Sequence, residues 1–305
     1  MTRPLVSIVT PSYNQAEYLE ETIRSVLEQD YEPIEYVVVD GGSTDGSADV
    51  IRRYASRLAW WVTEPDRGQA HAINKGFARS QGELMGFLNS DDALVPGAVT
   101  RLVATLESQP EALVAFGDAR FVDDRNGSTW VASPGRWGVQ AMAARAGGTI
   151  IQPSSLWRRR AWELAGPFDE SYDFWFDVLF FLKVSCFGSA EYIPEPLAVY
   201  RIHSGSKTAN ATSLPQSEET LRLADEFARG DVPELLRPHL RAARAGLLRR
   251  AAWGFYSSGE LGRARAALVR SLPLKLTMSR TTARLLARSL TPPAVVRLKR
   301  RLQSR

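Results

Sequence analysis

Short apolar runs alternate with amphipathic segments along the first third of the chain. Runs of mostly β-branched or other apolar residues predict four buried strands, at residues 5–10, 35–40, 60–62 and 84–89. Leu19, Ile23 and Val26 follow the first run at helical spacing, with Asn14 as the expected helix cap. Another helix is expected to begin near Pro96, since proline favours the first helical turn. Because strands alternate with helices, we predict an α/β fold with a mostly parallel sheet and helices on both faces.

The pattern changes twice in the rest of the chain. A turn signal at residues 123–127 predicts further strands around it, and residues 191–203 predict a strand pair. A loop is expected at residues 204–217, and the remainder is rich in Ala, Leu and Arg and predicts helices. We therefore expect two domains, an α/β domain over residues 1–210 and a helical, Arg-rich extension over residues 211–305.

Composition limits the class of protein. The chain has 305 residues, of which 44% are hydrophobic and 24% charged, as in soluble globular proteins. The single cysteine excludes an internal disulfide and suits a reducing compartment, and three histidines make the usual zinc sites unexpected. A leader segment and an apolar run of about 18 residues are both absent from the sequence. We expect a cytoplasmic protein without a membrane span.

Charge is distributed unevenly along the chain. Twelve Lys and Arg residues follow Glu260 and no Asp or Glu does, whereas acids outnumber bases before it. A basic tail indicates an anionic partner such as a membrane, although a solvated Arg-rich helix face gives the same pattern. Few aromatic residues are interleaved with these charges, so a nucleic-acid partner is not expected.

Polar residues follow the predicted strands. Asp40 ends the second strand before two glycines, and Asn89, Ser90, Asp91 and Asp92 end the fourth. The carboxyl ends of parallel strands meet at one edge of a sheet, where ligands bind. Adjacent carboxylates repel and are costly to bury alone, so a divalent cation that also binds substrate phosphates is expected here. A helix-capping or turn role is the alternative for these acids.

Two further candidates lie later in the chain. Asp177 stands among aromatic residues, and partial burial raises a carboxyl pKa and favours a general base, although an acid paired with Arg is an equal alternative. His203 follows a strand, where a lone histidine is more often structural than a ligand. The glycine-rich fingerprints of dinucleotide sites and P-loops are absent from the sequence.

Three segments in order resemble a known family: VSIVTPSYNQAEYLEETIRSVLEQ, VVVDGGSTDGS and GQAHAINKGFARSQGELMGFLNSDD. They resemble the inverting glycosyltransferases of family 2, which have the GT-A fold, and the resemblance covers about residues 4–210. IIQPSSLWRR, GPFDESYDFWFD and YRIHSGS are similar to later motifs of bacterial members that build surface polysaccharides. The resemblance implies a GT-A catalytic domain over residues 1–210.

The resemblance also implies residue roles. The residues that would line the nucleotide-sugar pocket are Pro11, Tyr13, Asn14, Asp40, Asn74, Asn89, Ser90, Asp91 and Gln152. Asp40 matches the acid that hydrogen-bonds the base, usually uracil. Asp91 matches the metal-binding acid of a DxD motif, His203 a histidine that adds a metal ligand in some members, and Asp177 the catalytic base.

Three positions depart from the family pattern. Asn89 replaces the first acid of the DxD motif, which weakens metal binding without excluding it. Ile73 stands where the family often has Arg, so Arg67 or Lys75 is a candidate for the phosphate charge. Phe176 replaces an acid before the expected base, which gives Asp177 a more apolar setting.

The expected reaction is a single displacement with inversion. A hydroxyl of a glycan or polyprenyl-linked glycan would attack the sugar of a UDP-sugar donor, Asp177 would take its proton, and Mn²⁺ or Mg²⁺ at Asp91 would neutralise the diphosphate. The basic tail indicates peripheral association with the inner face of the cell membrane, and a helical lid or a dimer contact is an equal alternative. Two rivals remain: a nucleotidyltransferase, whose glycine-rich phosphate loop is missing, and a catalytically degenerate sugar-nucleotide-binding or scaffold protein, for which Asn89 is the hint.

Overall fold

A computed structural model describes residues 3–145, 150–207, 209, 213–230, 232 and 234–274. The chain divides into two compact units, Met1–Gly138 with Gly148–Ala209 and Val139–Gly147 with Asn210–Arg305. This division differs from a simple boundary at residue 210, because the short segment after Gly138 groups with the C-terminal helices. Residues 275–305, which hold most of the basic tail, lie outside the described residues.

The first unit is built on one mixed sheet. Its nine strands within the described residues are β1 (Val6–Ser12), β2 (Ile34–Asp40), β3 (Trp60–Thr63), β4 (Leu84–Phe87), β5 (Ala93–Leu94), β6 (Ala112–Asp123), β7 (Ser128–Ala132), β8 (Ser155–Arg158) and β9 (Ser189–Ile202). They lie in the order β3-β2-β1-β4-β8-β6-β9-β5, with β7 paired to β6. β3, β2, β1 and β4 are parallel, as predicted, whereas β8 runs antiparallel to both of its neighbours.

Helices cover the sheet and form the second unit. They are α1 (Ala16–Leu27), α2 (Ser47–Tyr54), α3 (Gln69–Phe77), α4 (Ala98–Ser108), α5 (Val139–Arg145), α6 (Arg159–Ala165), α7 (Phe176–Val184), α8 (Leu214–Arg229), α9 (Leu240–Ser257) and α10 (Leu261–Ser271). Alternate strand residues face opposite layers. Ile8 and Val38 join a core with α1, α2 and α4, while Phe87 and Trp157 join an aromatic cluster with α3, α6 and α7.

Two helix starts differ from their predictions. α4 begins at Ala98 after Gly97, whose φ of 75° lies in the left-handed region that favours glycine, so Pro96 is outside the helix. Asn14 does not cap α1, because its Oδ1 accepts from the Thr44 N–H instead. The Ala16 N–H donates to Asp45 Oδ2 at 2.8 Å, so the start of α1 is capped from another segment.

The predicted strand pair over residues 191–203 is a single strand, β9, which runs parallel to β6. The register between the two shifts where Pro194 and Pro196 occur, because proline has no N–H to donate. The turn predicted at residues 123–127 joins two strands, as expected, and β6 and β7 pair across it as a β-hairpin.

The second unit contains α5 and α8 to α10 within the described residues. Ala245, Leu248 and Ala251 of α9 are buried, and α9 packs against α5, α8 and α10. A short turn joins α9 to α10. No helix in the part of the chain that the structure describes is long and apolar enough to cross a membrane.

Candidate active site

The ends of β1, β2 and β4 lie side by side at one edge of the sheet. Ser12 is the partner of Asp40 in the ladder between β1 and β2, and the Leu88 N–H donates to the Val9 carbonyl beyond β4. The polar segments that follow these strands therefore share one edge, as the sequence pattern predicted.

Asp40 closes a turn at this edge. Its side chain is fully buried, and its two carboxylate oxygens accept from the Ser43 N–H at 3.0 Å and the Ser43 hydroxyl at 2.5 Å. The Ser43 oxygen also accepts from the Asn14 N–H, and Tyr13 beside it is 63% exposed. Tyr13 is therefore accessible to a ligand, whereas the Asp40 carboxylate is already hydrogen-bonded within the protein.

A second carboxylate at this edge was not singled out from the sequence. A Cβ atom on Gly41 would lie 2.7 Å from Oδ2 of Asp66, so Asp66 fills the space that a side chain at residue 41 would take. Asp66 Oδ1 accepts from the Gly68 N–H, just before α3. An acid two residues before a glycine at a helix start was the available signal, because such an acid can bind the first helical N–H groups.

The segment from Asn89 to Asp92 is held on α1 and β9. The Thr22 hydroxyl lies within hydrogen-bond distance of the Ser90 and Asp92 carbonyl oxygens, at 2.9 and 2.7 Å. Asp92 is 2% exposed, and its Oδ1 accepts from the Arg201 N–H at 3.0 Å. Burial, and then the negative charge of Asp91, raise the pKa of Asp92 well above its ordinary value. The hydrogen bond that Asp92 accepts from the Arg201 N–H opposes that shift.

Asp91 and His203, 112 residues apart in sequence, meet in the structure. Asp91 Oδ2 lies 3.1 Å from His203 Nε2, and His203 Nδ1 accepts from the Gly205 N–H at 3.2 Å. Because Nδ1 is occupied as an acceptor, the proton of the neutral ring lies on Nε2 and is donated to Asp91.

An aromatic ring packs on His203, and a guanidinium group packs on that ring. The Tyr18 ring packs on the His203 ring with centroids 4.6 Å apart, and the Arg201 guanidinium lies 5.1 Å from the Tyr18 centroid. Arg201 also donates from Nε to the Asp91 carbonyl and from Nη2 to Glu21. Arg201 was not predicted from the sequence, because its partners are far away along the chain.

The donor set suits a cation that is shared with a ligand. No group of three or more His, Cys, Asp or Glu side chains is placed to hold a metal ion within the described ranges. Mg²⁺ sites commonly use one or two carboxylates and take the other ligands from substrate phosphates and water. Asp91 with His203 fits that scheme, provided that Nε2 gives up its proton and Gly205 finds another acceptor.

The residues expected near the phosphates are partly engaged elsewhere. The Asn74 amide accepts from the Phe168 N–H and donates to the Phe168 carbonyl and to Glu170, so it anchors the segment after α6. Arg67 pairs with Glu170 at 2.6 Å and Lys75 with Glu64 at 2.8 Å. Such exposed pairs contribute about 0–1 kcal/mol, so both cations can exchange partners readily.

Gln152 lies in the turn before β8, and Asp177 lies in α7. Gln152 is 6% exposed; its amide nitrogen donates to the Phe87 carbonyl, and its Oε1 is a buried acceptor without a donor. Asp177 is half-buried in the first turn of α7. The neighbouring Phe176 packs against Phe87 and Phe168, so it turns into the aromatic cluster.

Comparisons with known proteins identify the family and the fold of the chain. A teichuronic acid biosynthesis glycosyltransferase of Bacillus subtilis, TuaG, is 43% identical over 93 residues, which are 30% of this chain and 37% of the relative. The crystal structure of TarS residues 1–349 from S. aureus with UDP-GlcNAc has a TM-score of 0.65 at 19% identity, over 88% of this chain and 81% of that one.

A second solved structure is a mannosyltransferase from Pyrobaculum calidifontis in complex with GDP-Man and Mn²⁺. It has a TM-score of 0.58 at 25% identity, over 94% of this chain and 79% of that one. The fold is thus the GT-A fold. Residues 7–162 match glycosyl transferase family 2. The chain belongs to glycosyl transferase family 2 and is a glycosyltransferase.

Proposed function

We propose that the chain transfers a sugar, with inversion, from a UDP sugar to a hydroxyl group of a glycan. The observation that supports this best is the contact between Asp91 and His203 at the carboxyl edge of the sheet in a family 2 chain. The similar mannosyltransferase was solved with a nucleotide sugar and Mn²⁺, which supports a donor of this class and a divalent cation.

Each role follows from a position at the sheet edge. Asp91, assisted by His203, would hold Mn²⁺ or Mg²⁺, which when bound neutralises the charge of the leaving diphosphate. Pro11 and the exposed Tyr13 would line the pocket for the nucleotide base, next to the turn that Asp40 closes. The free Oε1 of Gln152 would accept a hydrogen bond from a sugar hydroxyl, because a buried acceptor is costly to leave unpaired.

Asp177 would be the base of the reaction. Its carboxylate would take the proton of the acceptor hydroxyl as that oxygen attacks the anomeric carbon from the face opposite the diphosphate. The charge that develops on the sugar ring resembles that in glycoside hydrolysis. An α-linked donor therefore yields a β-linked product.

The acceptor would be a glycan or a polyprenyl-linked glycan at the inner face of the cell membrane. The name of TuaG, a teichuronic acid glycosyltransferase, supports a cell-envelope glycan. The basic residues after Glu260 would contribute roughly 1 kcal/mol each near anionic lipid.

Vesicle binding tests the membrane part of the proposal. We expect the protein to sediment with vesicles that contain anionic lipid and to be released by high salt, because the attraction is electrostatic. A protein truncated before the basic tail should stay in the supernatant. Equal binding to neutral vesicles would contradict an electrostatic role of the tail.

Thermal unfolding with nucleotides tests the donor. The purified protein is heated with UDP, GDP, CDP or dTDP, each with and without Mn²⁺. Since a ligand that binds the folded state raises the unfolding midpoint, we expect an increase with UDP that requires the metal. A selective increase with another nucleotide would change the donor, and no increase with any nucleotide would contradict the donor site itself.

A further inference from the structure

Both the oxygen and the nitrogen of the Asn89 side-chain amide make hydrogen bonds. Asn89 stands where the DxD pattern expects an acid. Gln69 Nε2 donates to Asn89 Oδ1 at 2.6 Å, and Asn89 Nδ2 donates to Asp92 Oδ2 at 3.2 Å. Lys207 Nζ donates to Gln69 Oε1 at 2.9 Å. These four side chains, Lys207, Gln69, Asn89 and Asp92, form a continuous chain that we call the amide relay.

The direction of the relay is fixed by Lys207. An ammonium group such as Lys207 only donates hydrogen bonds. Gln69 must therefore present its oxygen to Lys207 and its nitrogen to Asn89. Asn89 accepts that bond with its oxygen and so presents its nitrogen to Asp92, so both amide orientations follow from the donor at the start of the relay.

An ionised acid in place of Asn89 would break this order. It has no hydrogen to donate to Asp92, and it would place a negative charge 3.2 Å from an acidic side chain that is only 2% exposed. The Arg201 N–H would remain the other donor to Asp92 in this arrangement. Removing one of the two donors to a buried acid is costly, and this acid is the side chain by which the turn bonds to β9.

We propose that Asn89 is a positioning residue that satisfies Asp92 and thereby holds the turn on which Asp91 stands. It is not a weakened metal ligand of a degenerate DxD motif. The inference deepens the proposed function, since it rests on Asp91 as the residue that meets the cation.

Asn89→Asp is the sharpest test, because it restores the two-acid pattern with almost no change in shape. We expect the thermal unfolding midpoint of the metal-free protein to fall by about 3–6 °C, because the relay is lost. We also expect at least about a tenfold loss of Mn²⁺ affinity in the presence of UDP, as is typical when a group that supports a metal ligand is removed. Asn126→Asp is the matched control, since Asn126 lies in an exposed turn and an acid can still accept from the Ser128 N–H.

A second variant separates positioning from simple damage to the fold. Asn89→Asp combined with Asp92→Asn reverses the direction of the hydrogen bond between positions 89 and 92. The amide at position 92 can donate to the acid at 89 while still accepting from the Arg201 N–H. We expect the double variant to recover most of the lost unfolding midpoint and of the Mn²⁺ affinity.

The outcomes are distinct. Tighter Mn²⁺ binding in Asn89→Asp with an unchanged midpoint would overturn the inference, and so would a double variant no better than the single one. Asp91→Asn tests the proposed function separately: metal-dependent UDP binding that survives this change would overturn the role of Asp91. The unfolding of metal-free Asn89→Asp would still report on the relay in that case.

Discussion

Asp177 carries the clearest prediction at the scale of a single residue. Asp177→Asn keeps the shape of the side chain but removes its basicity. No side chain at this position could then take the proton of the acceptor hydroxyl. We expect turnover to fall about 10²–10⁴-fold. The rise of the unfolding midpoint with donor should be retained, because the half-buried carboxylate is proposed to meet the acceptor and not the diphosphate. Transfer is measured with a UDP-sugar and a glycan acceptor.

Glu163→Gln is the control for this experiment, since Glu163 is an exposed acid on the preceding helix α6. It should leave both turnover and donor binding unchanged. Unimpaired transfer by Asp177→Asn would remove this residue from the base role.

The sequence indicated most of the candidate site residues, but it did not show which side chains they contact. The strand-end position of Asp91 follows from the apolar run before it, and its motif carries the resemblance. Its contact with His203, and that of Asn74 with Phe168, join positions 112 and 94 residues apart. Such pairs depend on strand order and register, which local hydrophobic patterns do not encode.

The start of α1 is the clearest case at the scale of an element. Burial by itself would raise the pKa of Asp45, but the hydrogen bonds from the Ala16 N–H and from Ser47 outweigh it and lower that pKa. Asp45 therefore stabilises the folded state as a carboxylate at a helix N-terminus. A carboxylate cap can be tested through the pH dependence of its contribution.

Asp45→Asn should lower the free energy of unfolding by about 1 kcal/mol at pH 7, because an amide oxygen is a weaker acceptor than a carboxylate. The folded-state pKa is below the unfolded value, so this stabilisation is complete above about pH 4 to 5 and is lost as the pH falls through the folded-state pKa. Denaturant unfolding from pH 2 to 7 measures it. Glu107→Gln, at an exposed site on α4, is the matched control, and a difference for Asp45→Asn that stays constant over this pH range would contradict the cap.

Local patterns predicted the elements with strong periodicity and failed where distant segments decide the structure. β1 to β4 and α1 were found from apolar spacing. The cap of α1 was not, because Asp45 reaches it from the segment after β2. A strand pair was predicted over residues 191–203, whereas pairing to β6 with a shifted register makes β9 one continuous strand.

At the scale of the whole molecule, the two units are interleaved along the chain. α5 lies between segments of the sheet unit in sequence, yet it groups with the C-terminal helices and packs against α9. A division by composition alone cannot detect this, since residues 139–145 are too few to carry a distinct pattern. The helices from α8 onward are therefore expected to be required for the order of α5.

Met142 provides a test of this dependence. It is 2% exposed on α5, so Met142→Ala should lower the free energy of unfolding of the full chain by about 2–3 kcal/mol. In a chain that ends after residue 209, α9 is missing and α5 has lost its packing partner. We expect that shorter chain to unfold at a lower temperature and to be insensitive to Met142→Ala. An unchanged unfolding midpoint, or the same cost of the substitution in both chains, would show that α5 is held independently of the C-terminal helices.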